Sequence, residues 1–352
     1  MIGAAEHAKP EGRAPERVII TGASAGVGRA IAEEFARHGW RVGLIARGRA
    51  GLEGAADAVR RLGGEPLVLQ ADVSDPEALD RRAGEAVAAW GGIDVWINVA
   101  MVTMISPIAN IEPDEYRRVT DVTYHGQVFG TMTALRRMKR QGHGTIVSIG
   151  SALSYRGIPL QAPYCGAKFA VRGFLDALRS ELDHDGSPIR VTEVHLPAVN
   201  TPQFHWARNK MPKRPQPMPP IYQAEAIARE VWRATHEAPR ELWLGGSAMQ
   251  AILGDAAAPG VVDHMLAGKG YSGQQTDEPA EVRRDNLFEP VDDERGHGAH
   301  GRFDGQARER LLAFRPERLR VGAALGAGLA AALLALALTS AAKRARPRRD
   351  RP

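Results

Sequence analysis

Tyr164 and Lys168 carry the first chemical signal in this sequence, because they stand four residues apart in the stretch YCGAK (residues 164–168). On a helix this spacing puts both side chains on one face, so the phenol and the ammonium can share one small site. A neighbouring cation favours the phenolate, which is one way to make a tyrosine a proton-transfer catalyst near neutral pH. An amphipathic helix with an interfacial tyrosine and a solvated lysine would show the same spacing, so the pair alone does not decide between the two.

A glycine-rich turn, TGASAGVGRA (residues 21–30), follows the first predicted strand and precedes a predicted helix. Its glycines at 22, 26 and 28 let the backbone turn tightly and approach a pyrophosphate at a helix N-terminus. In NAD sites an acid about 20 residues further on usually holds the ribose 2′-hydroxyl. Here the second strand ends in Ala46 and Arg47 follows. The sequence therefore favours NADP(H), whose 2′-phosphate an arginine would bind; an exposed arginine without a ligand is the alternative.

The elements that position these residues alternate short β-branched runs with longer helical stretches from residue 17 onward. The strand-like runs are RVIIT, RVGLIA, PLVLQ, IDVWIN, GTIVSIG, IRVTEVHLP and RELWLG. This alternation predicts an α/β fold, a doubly wound parallel sheet (Rossmann fold) with helices on both faces. Ligands of such sheets bind beyond the carboxyl ends of the strands, which is where the glycine-rich turn is expected.

In combination these motifs resemble the compact branch of the short-chain dehydrogenase/reductase family, over about residues 15 to 250. The resemblance rests on TGASAGVG, ADV with Asp72, the strand ending in Asn98, Ser151, YCGAK and LPAVNTP. It implies an oxidoreductase that transfers hydride between a nicotinamide cofactor and an alcohol, ketone or aldehyde. The extended branch of sugar-nucleotide epimerases has TGxxGxxG instead, so the glycine spacing argues against an epimerase.

The resemblance also implies a role for each matching residue. Tyr164 would be the acid/base, Lys168 would lower the tyrosine pKa and hold the nicotinamide ribose, and Ser151 would hold the substrate oxygen. Thr123 stands where the family has a catalytic asparagine, and NVAM (residues 98–101) replaces the family's NNAG. The expected cofactor site consists of Gly22, Ser24, Gly26, Val27, Gly28, Arg47, Asp72, Val73, Asn98, Ala100, Tyr164, Lys168, Pro197, Val199 and Thr201.

Two departures from the family pattern leave a second function open. With Thr123 and the NVAM variant, the chain could be a membrane-tethered dinucleotide-binding sensor or scaffold without turnover. The intact serine, tyrosine and lysine set favours the enzyme, since a protein that only binds has no need of all three. Met101, which replaces the family's glycine, is expected to contact the substrate.

Other candidate residues are interpreted as structural. His195, in EVHLP, is read as a core or strand-end histidine. His297 and His300 have no cysteine or acidic partners at ligand spacing, so no metal site is predicted. Cys165 is the one cysteine of the chain. It excludes an intramolecular disulfide, fits a reducing compartment and is expected to be a small buried residue.

Composition and charge are those of a globular protein, with 44% hydrophobic and 25% charged residues. The net charge of +5 equals that of the tail KRARPRRDRP (residues 343–352), so the rest of the chain is neutral overall. This distribution gives no support for a nucleic-acid-binding body. The N-terminus has no apolar run of signal-peptide length, which predicts a cytoplasmic catalytic domain.

The C-terminal part predicts a membrane anchor. Residues 321–342 are 22 positions without a charge, about 33 Å as a helix against a hydrocarbon core of about 30 Å. An Ala/Leu helix packed on the protein or in an oligomer is the alternative. The predicted organisation is a flexible N-terminus (1–14), a catalytic domain (15–250), an appended lobe (251–304), an amphipathic juxtamembrane segment (305–320), the transmembrane helix (321–342) and the basic tail (343–352).

The substrate class and the oligomeric state are predicted from weaker signals in the sequence. Residues 202–222 are rich in proline and have no usable period, so they predict a mobile flap or substrate loop. Its aromatic residues Phe204, Trp206 and Tyr222, together with a membrane tail, favour an apolar alcohol or ketone. The resemblance implies a homodimer or homotetramer through helices near residues 113–140 and 163–184.

Overall fold

The computed structural model describes residues 16–292 and 297–317 of the chain. The strands are β1 (Arg17–Thr21), β2 (Arg41–Ala46), β3 (Glu65–Gln70), β4 (Val95–Asn98), β5 (Met104–Ile105), β6 (Thr145–Ser151), β7 (Arg190–Leu196), β8 (Ala198–Asn200), β9 (Arg208–Asn209), β10 (Lys213–Pro215), β11 (Ile221–Gln223), β12 (Glu241–Leu244), β13 (Gln275–Pro279) and β14 (Ala313–Phe314). The α-helices are α1 (Gly26–Arg37), α2 (Arg49–Arg61), α3 (Pro76–Trp90), α4 (Pro113–Thr120), α5 (Gly126–Gln141), α6 (Ala162–His184), α7 (Gln203–Trp206), α8 (Ala224–Glu237), α9 (Gly246–Ala257) and α10 (Pro259–Ser272). A π-helical turn (Asp121–His125) joins α4 to α5, and a 3₁₀ turn (Ala152–Ser154) follows β6.

The central sheet has eight strands in the order β14-β12-β7-β6-β4-β1-β2-β3. All neighbouring strands are parallel except β14, which pairs antiparallel with β12. The chain proceeds outward from β1 in one direction through β2 and β3, and then in the other through β4, β6, β7 and β12. The predicted doubly wound sheet is therefore confirmed, and its order reverses between β1 and β4, where such sheets bind ligands.

Helices cover both faces of this sheet and bury two apolar cores. Helices α1, α2 and α8 pack over one face, with Phe35, Leu52 and Val231 fully buried. Helices α3, α5 and α6 pack over the other, with Leu79 and Leu175 fully buried. Because both faces are covered, the central strand β6 is buried at every position, as expected for a parallel strand that lies between two layers of helices.

The chain beyond residue 250 folds back over the carboxyl edge of the sheet. Helix α9 lies beside the 3₁₀ turn, α10 packs on α9, and β13 pairs with β10 of the proline-rich segment. That segment, predicted as a mobile flap over 202–222, instead contains α7 and three short strands that pair with β5, β13 and β8. Residues 313–314, in the predicted amphipathic segment, form the edge strand β14.

Within residues 16–292 and 297–317, no helix is both long enough and apolar enough to cross a bilayer. The predicted transmembrane helix (321–342) lies outside the described residues, as do the predicted N-terminal segment (1–14) and the basic tail (343–352).

Candidate active site

A cavity of about 800 Å³ lies at the carboxyl edge of the sheet, at the point where the strand order reverses. It is lined by Ser151, Tyr164 and Lys168 and by the glycine-rich turn. Of the predicted site residues, only Asn98 and Thr123 do not line it. The fold thus brings two distant parts of the sequence, the glycine-rich turn and the YCGAK motif, into one site.

The glycine-rich turn needs its glycines for backbone geometry. Gly22 and Gly26 have φ angles of 71° and 58°, which side-chain-bearing residues rarely adopt. A Cβ at Gly28 would lie 2.2 Å from the carbonyl oxygen of Gly22, and one at Gly22 would lie 2.8 Å from the Cα of Ala100. The turn therefore packs directly against the NVAM segment, so this close backbone approach exists although Met101 replaces the family's glycine.

Ser151 ends β6, and Tyr164 lies in the first turn of α6. The Oγ of Ser151 accepts the Leu153 amide at 3.1 Å, which orients the side chain at the start of the 3₁₀ turn. Burial raises the pKa of Tyr164 above its ordinary value, and a hydrogen bond with Ser151 opposes that rise. The phenol is therefore protonated at neutral pH and has the serine hydroxyl as its polar neighbour.

Lys168 is 1% exposed, and its ammonium donates a hydrogen bond of 2.5 Å to the Ile149 carbonyl. Its Nζ lies 5.6 Å from the centroid of the Tyr164 ring. Burial lowers the pKa of Lys168 to about 8. The expected lowering of the Tyr164 pKa is not found, because burial of the phenol outweighs the effects of its neighbours.

Thr123 lies in the π-helical turn and is fully buried. Its hydroxyl donates to the Val102 carbonyl at 2.9 Å and accepts from the Val102 amide at 3.2 Å. The hydroxyl hydrogen is thus committed to the backbone that follows NVAM. This arrangement indicates a positioning role for Thr123, which does not line the cavity.

Asn98 is fully buried and connects β4 to α5. Its carbonyl oxygen accepts from Trp96 Nε1 at 2.8 Å, and its amide donates to Thr131 at 2.9 Å. The side chain therefore faces the helix layer and not the cavity, in contrast to its predicted place in the cofactor site. Its physical role is to satisfy polar groups between the sheet and α5.

At the other end of the cavity, Arg47 and Asp72 are both engaged by neighbouring groups. Arg47 donates to the carbonyls of Asn286 and Phe288 at 2.6 and 2.7 Å. Asp72 accepts from Arg118 at 2.5 Å and from the Ser74 hydroxyl at 2.8 Å, and these bonds hold the pKa of its carboxyl below the usual range despite burial. The guanidinium that was predicted to be open to a phosphate is thus held by the C-terminal extension.

The cavity lining includes apolar side chains in addition to Ser151 and Tyr164. These side chains come from the NVAM segment, the 3₁₀ turn, the proline-rich segment and helices α9 and α10, and include Met101, Leu153, Met218 and Leu266. Phe204 and Trp206 also line the cavity, and Trp206 packs beside His297. Tyr222 does not line the cavity, because it lies in β11 and pairs with β8. The sequence alone missed the contribution of α9 and α10, because these two helices have almost no amphipathic pattern.

The remaining candidate residues are structural. His195 is fully buried, as predicted, and its Nδ1 lies 3.1 Å from the Ser151 carbonyl oxygen. Cys165 is a buried free thiol whose pKa burial raises to about 11. His300 pairs with Glu225 and Asp304 at 2.7 and 2.8 Å. Within the described ranges, no group of three or more His, Cys, Asp or Glu side chains could hold a metal ion.

Glu193 is a buried acid that sequence reasoning missed, in strand β7, which pairs with β6. It is 0% exposed, and within the described residues neither carboxyl oxygen has a hydrogen-bond partner. Burial raises its pKa to about 8, whereas burial lowers the pKa of the adjacent His195 to about 4. The folded protein therefore binds a proton on Glu193 that the unfolded chain, with an ordinary value of 4.5, has already released at neutral pH.

This proton makes stability depend on pH. Because the folded-state pKa lies above the unfolded one, the contribution of Glu193 falls as pH rises from about 4.5 to about 8. Between those values Glu193→Gln is expected to gain roughly 1–3 kcal/mol of stability relative to the native chain. Chemical unfolding of the native chain and of Glu193→Gln, at pH about 4.5 and at pH about 8, measures this difference. The exposed Glu281→Gln serves as control, and a difference independent of pH would contradict the prediction.

The chain matches the family model described as short chain dehydrogenase over residues 16–212. The uncharacterized oxidoreductase YxnA of Bacillus subtilis is 28% identical over 319 residues, which cover 89% of this chain and 88% of that protein. Versicolorin reductase stcU of Emericella nidulans is 31% identical over 53% of this chain and 70% of its own. Dehydrogenase/reductase SDR family member 7B of Bos taurus is 33% identical over 52% of this chain and 58% of its own. The similarity to YxnA thus extends beyond the family range into the C-terminal extension.

Proposed function

This chain belongs to the short-chain dehydrogenase/reductase family, and we propose that it interconverts an alcohol and a ketone or aldehyde of apolar character. As a member of this family it is an oxidoreductase with a nicotinamide cofactor and a small-molecule substrate. The observation that carries the proposal is the meeting of Ser151, Tyr164 and Lys168 with the glycine-rich turn in one cavity. A protein that only bound a dinucleotide would have no need of all three polar side chains at the apolar end.

The residues at the sheet edge fit a nicotinamide dinucleotide. The cavity is continuous from Arg47 to Tyr164, so an extended ligand can reach both ends. Gly22 and Gly28 put no side chain over the turn, and the first turn of α1 offers amide groups to a pyrophosphate. The predicted cofactor residues Ser24, Val27, Val73, Ala100, Pro197, Val199 and Thr201 also line this cavity.

The catalytic residues would act on the substrate oxygen. The cofactor, when bound, supplies or accepts the hydride. In reduction Tyr164 gives its proton to the oxygen as the alkoxide develops, and in oxidation the same oxygen atom of Tyr164 takes the proton back. Ser151 donates a hydrogen bond to that oxygen and so stabilises its developing charge. The Lys168 ammonium lies behind the phenol, where its charge stabilises the phenolate left after proton transfer.

The pH dependence of reduction is expected to report Lys168. Since burial lowers its pKa from 10.5 to about 8, the ammonium loses its proton as pH rises through about 8. Carbonyl reduction should therefore slow above that pH, because the phenolate loses its stabilising charge. A profile of kcat against pH measures this effect. Lys168→Arg keeps a charge at all these pH values and is expected to move the decline upward; a native rate that stays constant well above pH 8 would contradict the assignment.

An apolar substrate is supported by Leu153, Met218 and Leu266, which line the cavity together with Ser151 and Tyr164. Each methylene that such a pocket removes from water contributes about 0.8 kcal/mol. The test is single-turnover oxidation of NADH and of NADPH by the full chain against ketones and aldehydes of graded chain length. Rates that rise with chain length support the proposal. Tight dinucleotide binding without turnover across the panel would favour the sensor or scaffold instead.

Two finer features of the protein, its assembly and its membrane tether, remain proposals. The NADP(H) preference predicted from Arg47 now has less support, because the guanidinium donors are occupied by backbone carbonyls. We propose that homodimers or homotetramers form through α4, α5 and α6, where Tyr116, Met132 and Phe169 are 42%, 45% and 45% exposed. A cytoplasmic catalytic domain tethered through residues 321–342 stays a prediction.

A further inference from the structure

The C-terminal extension crosses the cofactor groove as a strap, defined here as residues 285–292 and 297–303. Its carbonyls at 286 and 288 bind Arg47, and its carbonyl at 287 accepts from Arg118 Nε at 3.0 Å. Further along, the Gly298 carbonyl accepts from the Gly26 amide at 2.9 Å, at the start of α1. The strap thus touches both the adenosine end of the groove and the glycine-rich turn, and forms part of the cavity wall.

Asp292 is the strap residue whose carboxylate binds the start of α2. Its two carboxylate oxygens accept the amides of Ala50 and Gly51 at 2.8 and 2.7 Å, in the first turn of α2. A Cβ at Gly48 would lie 2.5 Å from the Asp292 Cγ, so this glycine leaves the room that the carboxylate occupies. The same carboxylate lines the cavity beside Ser24.

We propose that Asp292 makes this protein selective for NAD(H) over NADP(H), an inference that rests on the proposed function. The acid that usually holds the adenosine ribose is missing at the end of β2, where Ala46 stands. Asp292 brings a carboxylate to the adjoining β2–α2 junction from a distant part of the chain. Each carboxylate oxygen can accept more than one hydrogen bond, so both can still accept from ribose hydroxyls.

The same geometry disfavours a 2′-phosphate in three ways. The phosphate would lie against the Asp292 carboxylate, and like charges at short range repel. It would compete for the Ala50 and Gly51 amides, which already bind that carboxylate. It would also find the Arg47 donors directed at strap carbonyls. The Asp292 charge, the two occupied amides and the occupied Arg47 guanidinium therefore all favour a ribose without a 2′-phosphate.

Helix capping is the competing explanation for Asp292. Gly48, the N-cap of α2, makes no side-chain cap, so the carboxylate fills this role from the strap. Capping alone would leave the choice between the two dinucleotides unaffected. The two explanations therefore separate in a ratio of affinities and not in stability.

The experiment compares dissociation constants of the full chain for NADH and NADPH by titration calorimetry, with 5′-AMP and 2′,5′-ADP as adenosine-end probes. The native protein is expected to bind NADH at least about tenfold tighter than NADPH, and Asp292→Asn to remove most of that ratio. Glu289→Gln is the matched control, because this exposed strap acid acts on Arg47 only through its charge. Adding Ala46→Asp to Asp292→Asn should restore the NADH preference.

Two results would overturn the inference. One is a native protein that binds NADPH more tightly than NADH. The other is a ratio of the two dissociation constants that is the same in the native protein, in Asp292→Asn and in Glu289→Gln. Failure of the proposed function has a different signature. If the protein shows the expected affinity ratio but turns over no carbonyl, the proposed enzymatic function is wrong and the role of Asp292 in dinucleotide selection stands. If the protein turns over a carbonyl but its affinity ratio does not depend on Asp292, the enzymatic function stands and the role of Asp292 in dinucleotide selection is wrong.

Discussion

Replacing Tyr164 with phenylalanine is expected to lower kcat for carbonyl reduction at least about a hundredfold, since general acid catalysis typically contributes that much or more. The variant loses only the hydroxyl, which is the one phenolic proton donor among the residues that line the cavity. Ser151 is a poor replacement for the phenol as proton donor, because an alcohol is a much weaker acid than a phenol. Affinity for the dinucleotide should change by no more than a few-fold.

Stopped-flow absorbance of the reduced nicotinamide measures the hydride step, and fluorescence titration measures binding in the same samples. Tyr271→Phe is the matched control, because this α10 tyrosine is 41% exposed and does not line the cavity. Near-native turnover of the Tyr164 variant would remove the tyrosine from its catalytic role. A parallel loss of dinucleotide affinity would point to a role in binding instead.

Replacing Gly28 with alanine is expected to abolish measurable dinucleotide binding and to destabilise the fold. The added Cβ would lie 2.2 Å from the Gly22 carbonyl oxygen and 3.3 Å from the Ala23 Cα, so the backbone of the turn itself would have to move. Overpacking of this kind typically costs about 1–3 kcal/mol. This cost exceeds the gain of up to about 1 kcal/mol that alanine normally brings to a helix interior.

Gly84→Ala is the control that separates the steric clash at Gly28 from the general effect of replacing a helical glycine with alanine. Gly84 lies in α3, and a Cβ there would meet only the end of the flexible Arg137 side chain, at 3.8 Å. This variant should gain about 0.5–1 kcal/mol and keep its cofactor affinity. Calorimetric melting and dinucleotide titration of both variants provide the comparison. If Gly28→Ala binds as Gly84→Ala does, the glycine-rich turn does not carry the pyrophosphate.

Much of the fold and of the site could be read from local pattern. The run RVIIT is β1 and RVGLIA is β2, because β-branched residues in a short apolar run between helical stretches have few other stable arrangements. The glycines at 22, 26 and 28 indicate a tight turn. Gly22 and Gly26 adopt positive φ angles, and a Cβ at Gly28 would clash with a carbonyl oxygen. The tyrosine–lysine spacing likewise follows from helix geometry alone.

Environments that depend on distant parts of the chain could not be read in this way. Sequence spacing predicts that Lys168 stands near Tyr164, but only burial decides that the lysine pKa falls while the tyrosine pKa rises. Thr123 occupies a catalytic position in the pattern, yet its hydroxyl is committed to Val102. Both outcomes depend on what surrounds a side chain in space, which composition and periodicity do not encode.

The sequence by itself determined the strands and helices, the glycine-rich turn and the tyrosine–lysine spacing, because each depends on residues close together along the chain. Only the tertiary structure decided the adenosine end of the site. Arg47 looks like a phosphate ligand in the sequence until Phe288, 241 positions away, accepts its hydrogen bond. Asp292 has no motif and lies 241 positions beyond the Gly51 amide that it binds. Contacts at this separation arise when the whole chain packs, so no local pattern predicts them.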